Sequence, residues 1–237
     1  MMSKPITLEH TNLYGPKKEG FTIVEILLAI FIFSILVTTV FGSFNFLLKN
    51  EPNLNDIIEI QNMGNRSLQR ILMDLESIRI TPPTVYKMQK SRDVSDPFAI
   101  KGGKSLSGLY GNPALRFSSQ AHLPIYGHSD RGVAEIVYYL EKISQNAGVL
   151  KRSDRLFNDT VFEPSEKDPV ICESVISFNV SFFDKQGNEH DHWDSESPEF
   201  YFSTPSAIGI FIKISGKSGI HDFGTLVKIP VGRDEIE

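Results

Sequence analysis

Apolar positions along this chain follow three successive rhythms. From Phe21 to Leu48 they run almost without interruption, and Glu25 is the one charged residue among them. At about 1.5 Å of rise per residue, such a run exceeds a hydrocarbon core of about 30 Å and predicts a membrane-crossing helix. Ser34, Thr38 and Thr39 are compatible with it, because each hydroxyl can bond the carbonyl one turn back. From Leu54 the rhythm changes. Leu54, Ile57, Ile58, Leu68, Ile71, Leu72, Leu75 and Ile78 recur largely at steps of three and four, with Asp56, Glu59, Arg66, Arg70 and Glu76 mainly on the other side. That pattern predicts an amphipathic helix with one face against a sheet, stopped by Thr81-Pro82-Pro83. Between the two stretches, Gly42 and Pro52 are points of bending, and a kink or short break is expected around Glu51-Pro52-Asn53.

Beyond Pro83 the period shortens to two. Strands are predicted at 114–118, 135–140, 148–152 as the hairpin mate of 135–140, 175–183, 208–214 and 225–231. The turn Asp184-Lys185-Gln186-Gly187-Asn188 closes the fourth of these. The glycines, serines and charges from Gln89 to Asn112 read as a long loop, and no internal repeat is present. The fold class is α+β: a long N-terminal helix, with a membrane half at 21–48 and a soluble half at 49–83, packed on antiparallel sheet from a β-rich domain at 84–237.

Composition narrows the function classes. The 237 residues leave about 190 beyond the apolar run, enough for one domain with a real core. Net charge is -5. The first twenty residues carry Lys4, Lys17 and Lys18 against Glu9 and Glu19, so the remainder is more acidic still, and nucleic acid is not expected as a partner. Cys172 is the one cysteine, so no intrachain disulfide forms, and its apolar neighbours Val170 and Ile171 predict burial. Lys17 and Lys18 precede the apolar run, which by the positive-inside rule keeps the N-terminus cytoplasmic and sends the bulk of the chain across the membrane. The run is longer than the core of a secretory signal, which spans about 7–15 residues.

An isolated carboxylate at the start of a membrane helix is costly without a partner. It sits in Lys17-Lys18-Glu19-Gly20-Phe21-Thr22-Ile23-Val24-Glu25. This junction resembles the class III signal of type IV pilins and type II secretion pseudopilins. The resemblance implies a leader at 1–20, cleavage by a prepilin peptidase between Gly20 and Phe21, and methylation of the new N-terminal Phe21. Glu25 falls fifth in the mature chain, where it would pair with the free amine of a neighbouring subunit. Two charges in a low-dielectric layer attract strongly. The plainer reading is an interfacial glutamate that reaches the headgroups.

Later segments resemble the J-type minor pseudopilin, the general secretion pathway protein J family. Glu135-Ile136-Val137-Tyr138-Tyr139-Leu140 followed by Gly148-Val149-Leu150-Lys151-Arg152 is similar to its paired strands. Phe178 to Phe183, Gly187 and Trp193 are similar to its strand, turn and tryptophan, although many members have two tryptophans there. Pro205-Ser206-Ala207-Ile208 resembles the entry to its final strand. The resemblance implies two sheets, a single-pass inner-membrane precursor with a periplasmic domain, and a non-enzymatic role in a fibre tip. The implied partners are prepilin peptidase, the I, K and H types, the major pseudopilin and the inner-membrane assembly platform. The K type usually lacks the glutamate, so Glu25 argues against it.

Other constellations carry less chemistry. His190 and His192 would share a face on a strand, but no third and fourth ligand stands near them, and Asp184, Asn188, Asp191 and Asp194 lack the spacing of a calcium loop. Gly102-Gly103-Lys104-Ser105 imitates a phosphate loop, but Phe98 stands where its first glycine belongs and no strand is expected to lead into it. No metal or cofactor is expected. A membrane-anchored periplasmic enzyme or sensor and a minor pilin of a type IV pilus or DNA-uptake machine stay open as alternatives.

Overall fold

The computed structural model describes residues 20–90, 95–103, 113–123, 132–144, 147–156 and 162–236. Two compact units divide at Glu51/Pro52. The first helix, α1, is assigned over Ile23–Glu76. The backbone is helical at Glu51, Pro52 and Asn53, where the sequence predicted a break. A proline forfeits its own donor bond and leaves helical bonding to the residues around it.

Within the first unit, the α1 residues are apolar on every side and exposed, from Ile23 and Val24 to Phe44 and Phe46. The 24 residues Ile23–Phe46, with mean hydropathy 2.7, are long and apolar enough to cross a membrane. The hydroxyls behave as the sequence predicts: Ser34 Oγ donates to Phe31 O at 2.7 Å, Thr38 Oγ1 to Ser34 O at 2.7 Å, Thr39 Oγ1 to Leu36 O at 2.8 Å and Ser43 Oγ to Thr39 O at 2.9 Å. These four hydroxyls are thus satisfied within the helix and need no water.

In the second unit, α1 buries a stripe of Ile60, Gly64, Ser67, Ile71, Asp74 and Leu75. Ile58, expected in that stripe, is 57% exposed. Glycine is required at position 64, because a Cβ there would stand 2.6 Å from the Phe223 ring. The helix ends at Glu76, five residues ahead of the predicted stop. Ser77 to Arg79 leave it to pair with a strand: β1 (Ile78–Arg79) joins β3 (Pro113–Ser119), and Ser119 Oγ donates to Asp74 O at 2.8 Å, satisfying an end carbonyl. Pro83 then starts a second helix, α2 (Pro83–Lys90), that the strand pattern did not foresee.

The strands β2 (Lys101–Gly103), β3, β4 (Ala134–Lys142), β5 (Gly148–Leu156), β6 (Val170–Phe183), β7 (Glu189–His190), β8 (His192–Asp194), β9 (Ala207–Gly216) and β10 (Gly219–Lys228) pair antiparallel. β2 lies inside the stretch expected to be a loop. The last strand begins at Gly219, six residues before its predicted start at Thr225, because the two-residue link Lys217-Ser218 turns β9 straight back on itself. β4 and β5 pair as the predicted hairpin, with Leu140 opposite Leu150.

Among the described residues a single sheet, ordered β10-β9-β6-β5-β4-β3-β2-β8, replaces the two sheets implied by resemblance. The reason is the length of β6. Its first residues pair with β5, Val170 opposite Lys151 and Cys172 opposite Leu150, and Val175 to Phe183 pair with β9. Ser174, with φ 53°, and a register shift between Val175 and Ser177 mark the changeover. The sheet curls until β2 and β8 return to contact β6. The core inside it holds Leu115, Phe117, Ile136, Tyr138, Phe178, Phe182 and Trp193.

Cys172 is buried, and burial pushes its thiol up to about 11 against the lowering effect of Ser67. Thiolate is therefore scarce at pH 8. The folded protein should resist iodoacetamide at that pH and take one label per chain on unfolding, counted by intact mass. Stoichiometric labelling of the folded protein would contradict the packing.

Candidate functional site

Helix α1 starts at the predicted processing junction. Gly20 and Phe21 are non-helical, and Phe21 is 81% exposed. A peptide bond between an open glycine and an open aromatic residue is sterically accessible to a peptidase. Lys17, Lys18 and Glu19 lie outside the described residues.

Glu25 stands in the first turn of α1, and it is engaged locally. Thr22 precedes the helix as its N-cap. Its Oγ1 accepts from Glu25 N at 3.2 Å, and Glu25 Oε2 accepts from Thr22 N at 3.4 Å. Glu25 N and Ile26 N also reach Thr22 O at 3.1 and 3.3 Å. This is a capping box, Thr-x-x-Glu, in which two end donors are satisfied reciprocally. The carboxylate also stands where the helix dipole favours negative charge. An ordinary anchor would thus also have a use for Glu25. The box still leaves the charge uncompensated, since a backbone amide is a dipole and not a cation. Thr22 is the residue that sequence reasoning missed. Its signal was the spacing of a threonine three residues before a glutamate at the head of an apolar run.

The other candidates separate. Asp191 interrupts β7 and β8, so His190 and His192 occupy different strands. His190 Nε2 lies 3.1 Å from Asp184 Oδ2, and its ring meets those of Trp193 and Phe200 edge-on. His192 lies 3.0 Å from Asp191 and 3.3 Å from Glu199, and these two carboxylates raise its pKa. Asp184 is spent on Asn188 N and Nδ2, both at 2.8 Å. Among the described residues no three His, Cys, Asp or Glu side chains converge as a metal site. Trp193 is buried, stacked on Phe200 at 4.2 Å, and donates Nε1–H to Ser203 O at 3.1 Å. Gly102 and Gly103 belong to a strand after all. A Cβ on Gly102 would meet Ala114 O at 2.6 Å, and one on Gly103 would meet His192 Cα at 2.5 Å, so the glycines are there to let β3 and β8 approach. Lys104 and Ser105 lie outside the described residues.

Residues 15–41 match the prokaryotic N-terminal methylation motif. With the long apolar helix and the antiparallel sheet behind it, this motif indicates a type IV pilin-like protein, a pseudopilin or a pilin. It implies processing by prepilin peptidase and assembly with other pilin-like proteins. The apolar helix is consistent with a single-pass membrane anchor. A search of the curated proteins finds none that matches this chain.

Proposed function

We propose that this protein is a minor pseudopilin of a type II secretion system, most similar to the J subunit. It waits in the inner membrane, N-terminus cytoplasmic and β-rich domain periplasmic, with the leader removed after Gly20 and Phe21 methylated. It then joins the I-, K- and H-type subunits at the tip that starts a pseudopilus, on the inner-membrane platform and ahead of the major pseudopilin. The growing fibre drives folded proteins across the outer membrane. The role is structural and not enzymatic.

The observation that carries this reading is the junction itself: a glycine, an exposed phenylalanine and a carboxylate five residues into the mature chain, within the matched motif. The J assignment is supported by the two segments that resemble that family's paired strands, which are hydrogen-bonded neighbours as β4 and β5. Deleting the gene and assaying exoprotein release and surface pili in one strain tests it. Lost secretion with intact pili is the expected result. Lost pili, motility or DNA uptake with normal secretion would move the protein to a type IV pilus.

A further inference from the structure

A groove of about 550 Å³ on the outer face of β6 and β9 takes no part in the N-terminal chemistry. One wall is Phe211 of β9. A Cβ on Gly224 would stand 2.8 Å from Cδ1 of that ring, and one on Gly209 would stand 3.2 Å from Cε2 on its opposite edge. Gly224 is directly opposite Phe211 in the β9–β10 ladder, and Gly209 lies two residues before it on the same strand. Both edges of the ring therefore approach backbone, and the ring lies flat on the sheet. One face rests on the glycines and the other is open, which accounts for an exposure of 49%.

The facing wall is Glu189–His192, carried over β6 by the pairing of β7 with Phe182 and Phe183. The floor is Asn179 and Ser181, alternate residues of β6 on the outward side. Asn179 is exposed. Ser181 is 8% exposed, and its Oγ is buried with no hydrogen-bond partner. That hydroxyl lies against Gly209, 2.5 Å from where a Cβ there would stand and beside the Phe211 ring edge, and it carries a desolvation cost that a ligand's polar group would relieve once that edge shifts to admit it.

An aromatic platform, hydrogen-bonding walls and an unsatisfied hydroxyl suit a molecule that is apolar on one face and polar around its rim. A pyranose ring has that form. Its axial C–H groups carry slight positive charge and rest on the negative face of an aromatic ring. Its hydroxyls can donate to the carboxylates of Glu189 and Asp191 and accept from the Asn179 amide. Those carboxylates disfavour acidic sugars. We infer that this groove binds a neutral saccharide, one ring of which stacks on Phe211 over Asn179 and Ser181.

The test uses the full chain in a sugar-free detergent, with maltotriose, cellotriose and chitotriose as probes and glycerol as the control, read by saturation-transfer NMR. At least one trisaccharide should bind with a Kd of about 1 mM or tighter, with saturation concentrated on the C–H groups of one ring. Phe211→Ala should weaken binding about tenfold or more, Ser181→Ala severalfold, and Phe211→Trp should preserve it. Folding of the variants that add no tryptophan is checked by the emission of Trp193, the one tryptophan of the parent chain, which is buried, and that of Phe211→Trp by far-UV circular dichroism. If Phe211→Ala does not fold, Asn179→Ala and Glu189→Gln, both exposed, carry the same expectation of weaker binding. No trisaccharide binding with a Kd of about 1 mM or tighter, or binding unaltered in the folded groove variants, would overturn the inference.

Discussion

Replacing Glu25 by glutamine is expected to leave a protein that is cleaved after Gly20, methylated on Phe21 and folded, yet unable to enter a fibre. The reasoning turns on the two uses of the side chain. As the last member of the Thr22 capping box it supplies an acceptor oxygen, and glutamine supplies one equally well. As a charge among apolar neighbours it attracts an amine, and glutamine does not. Glu25→Ala removes both the charge and the acceptor for Thr22 N. Thr22→Ala removes the hydroxyl that caps Glu25 N and keeps the charge. If the charge does the work, Thr22→Ala assembles and both Glu25 variants do not. If the cap does the work, Glu25→Gln assembles and both alanine variants are impaired. Placing an aspartate at Gly20 should act earlier, leaving residues 1–20 attached, because the peptidase then meets a charge where it expects an open glycine. Exoprotein release, cross-linking into fibres and the mass of the N-terminal peptide separate these cases. Full secretion by Glu25→Gln would remove the ion-pair mechanism.

That experiment exists because of an overlap the sequence displays but does not rank. The apolar run, the basic flank and the lone carboxylate are local features, so the anchor and the junction are legible residue by residue. Alternation likewise marks β3, β4, β5, β6 and β9 within a few residues. Legibility fails where long-range contacts decide. The end of α1 at Glu76 is set by β3, more than thirty residues away, and not by the prolines that follow. Lys101 to Gly103 read as loop because two glycines have no strand propensity. They form a strand because β3 and β8 come too close on either side to admit a side chain. Two sheets became one because β6 is long enough to serve both halves, and alternation gives no sign that a strand changes partner midway. The groove under Phe211 was invisible for the same reason: Gly209, Gly224 and Ser181 come from three strands.

The same limit hid the polar centre of the second unit, where the largest loss of stability is expected. A scan for apolar stripes passes over Asp74, which is fully buried on α1. Its Oδ2 accepts from Arg152 Nε at 2.6 Å and from Tyr138 OH at 2.5 Å, and its Oδ1 from Arg70 at 2.5 Å and Arg152 at 3.2 Å. Arg152 also meets Asp154 at 2.6 Å, and Asp154 meets His122 at 2.6 Å. One carboxylate thus joins α1 to β4 and β5. Burial alone would lower the Arg152 pKa, but the bonds and charges of Asp74 and then Asp154 outweigh it and raise it. Removing either partner unbalances a buried cluster and leaves part of its hydrogen-bonding capacity unmet, although Arg70 still faces Asp74 and Asp154 still faces Arg152, so Asp74→Ala or Arg152→Ala should cost up to about 3–5 kcal/mol in denaturant unfolding. Replacing the two together by hydrophobic residues of similar volume, Asp74→Leu with Arg152→Met, should cost much less than the two single losses combined. Alkali gives a second readout. Tyr138 is held well above its ordinary pKa, first by burial and then by the Asp74 charge. A group whose folded pKa is raised keeps its contribution below the unfolded value and loses it as the pH climbs. Stability should therefore begin to fall above about pH 8.5, where the Cys172 thiol ionises in the unfolded chain alone, and fall more steeply above about pH 10, where tyrosine does so too. Tyr138→Phe should make that fall shallower. Single variants as stable as the parent would mean that α1 is held on the sheet by its apolar stripe alone.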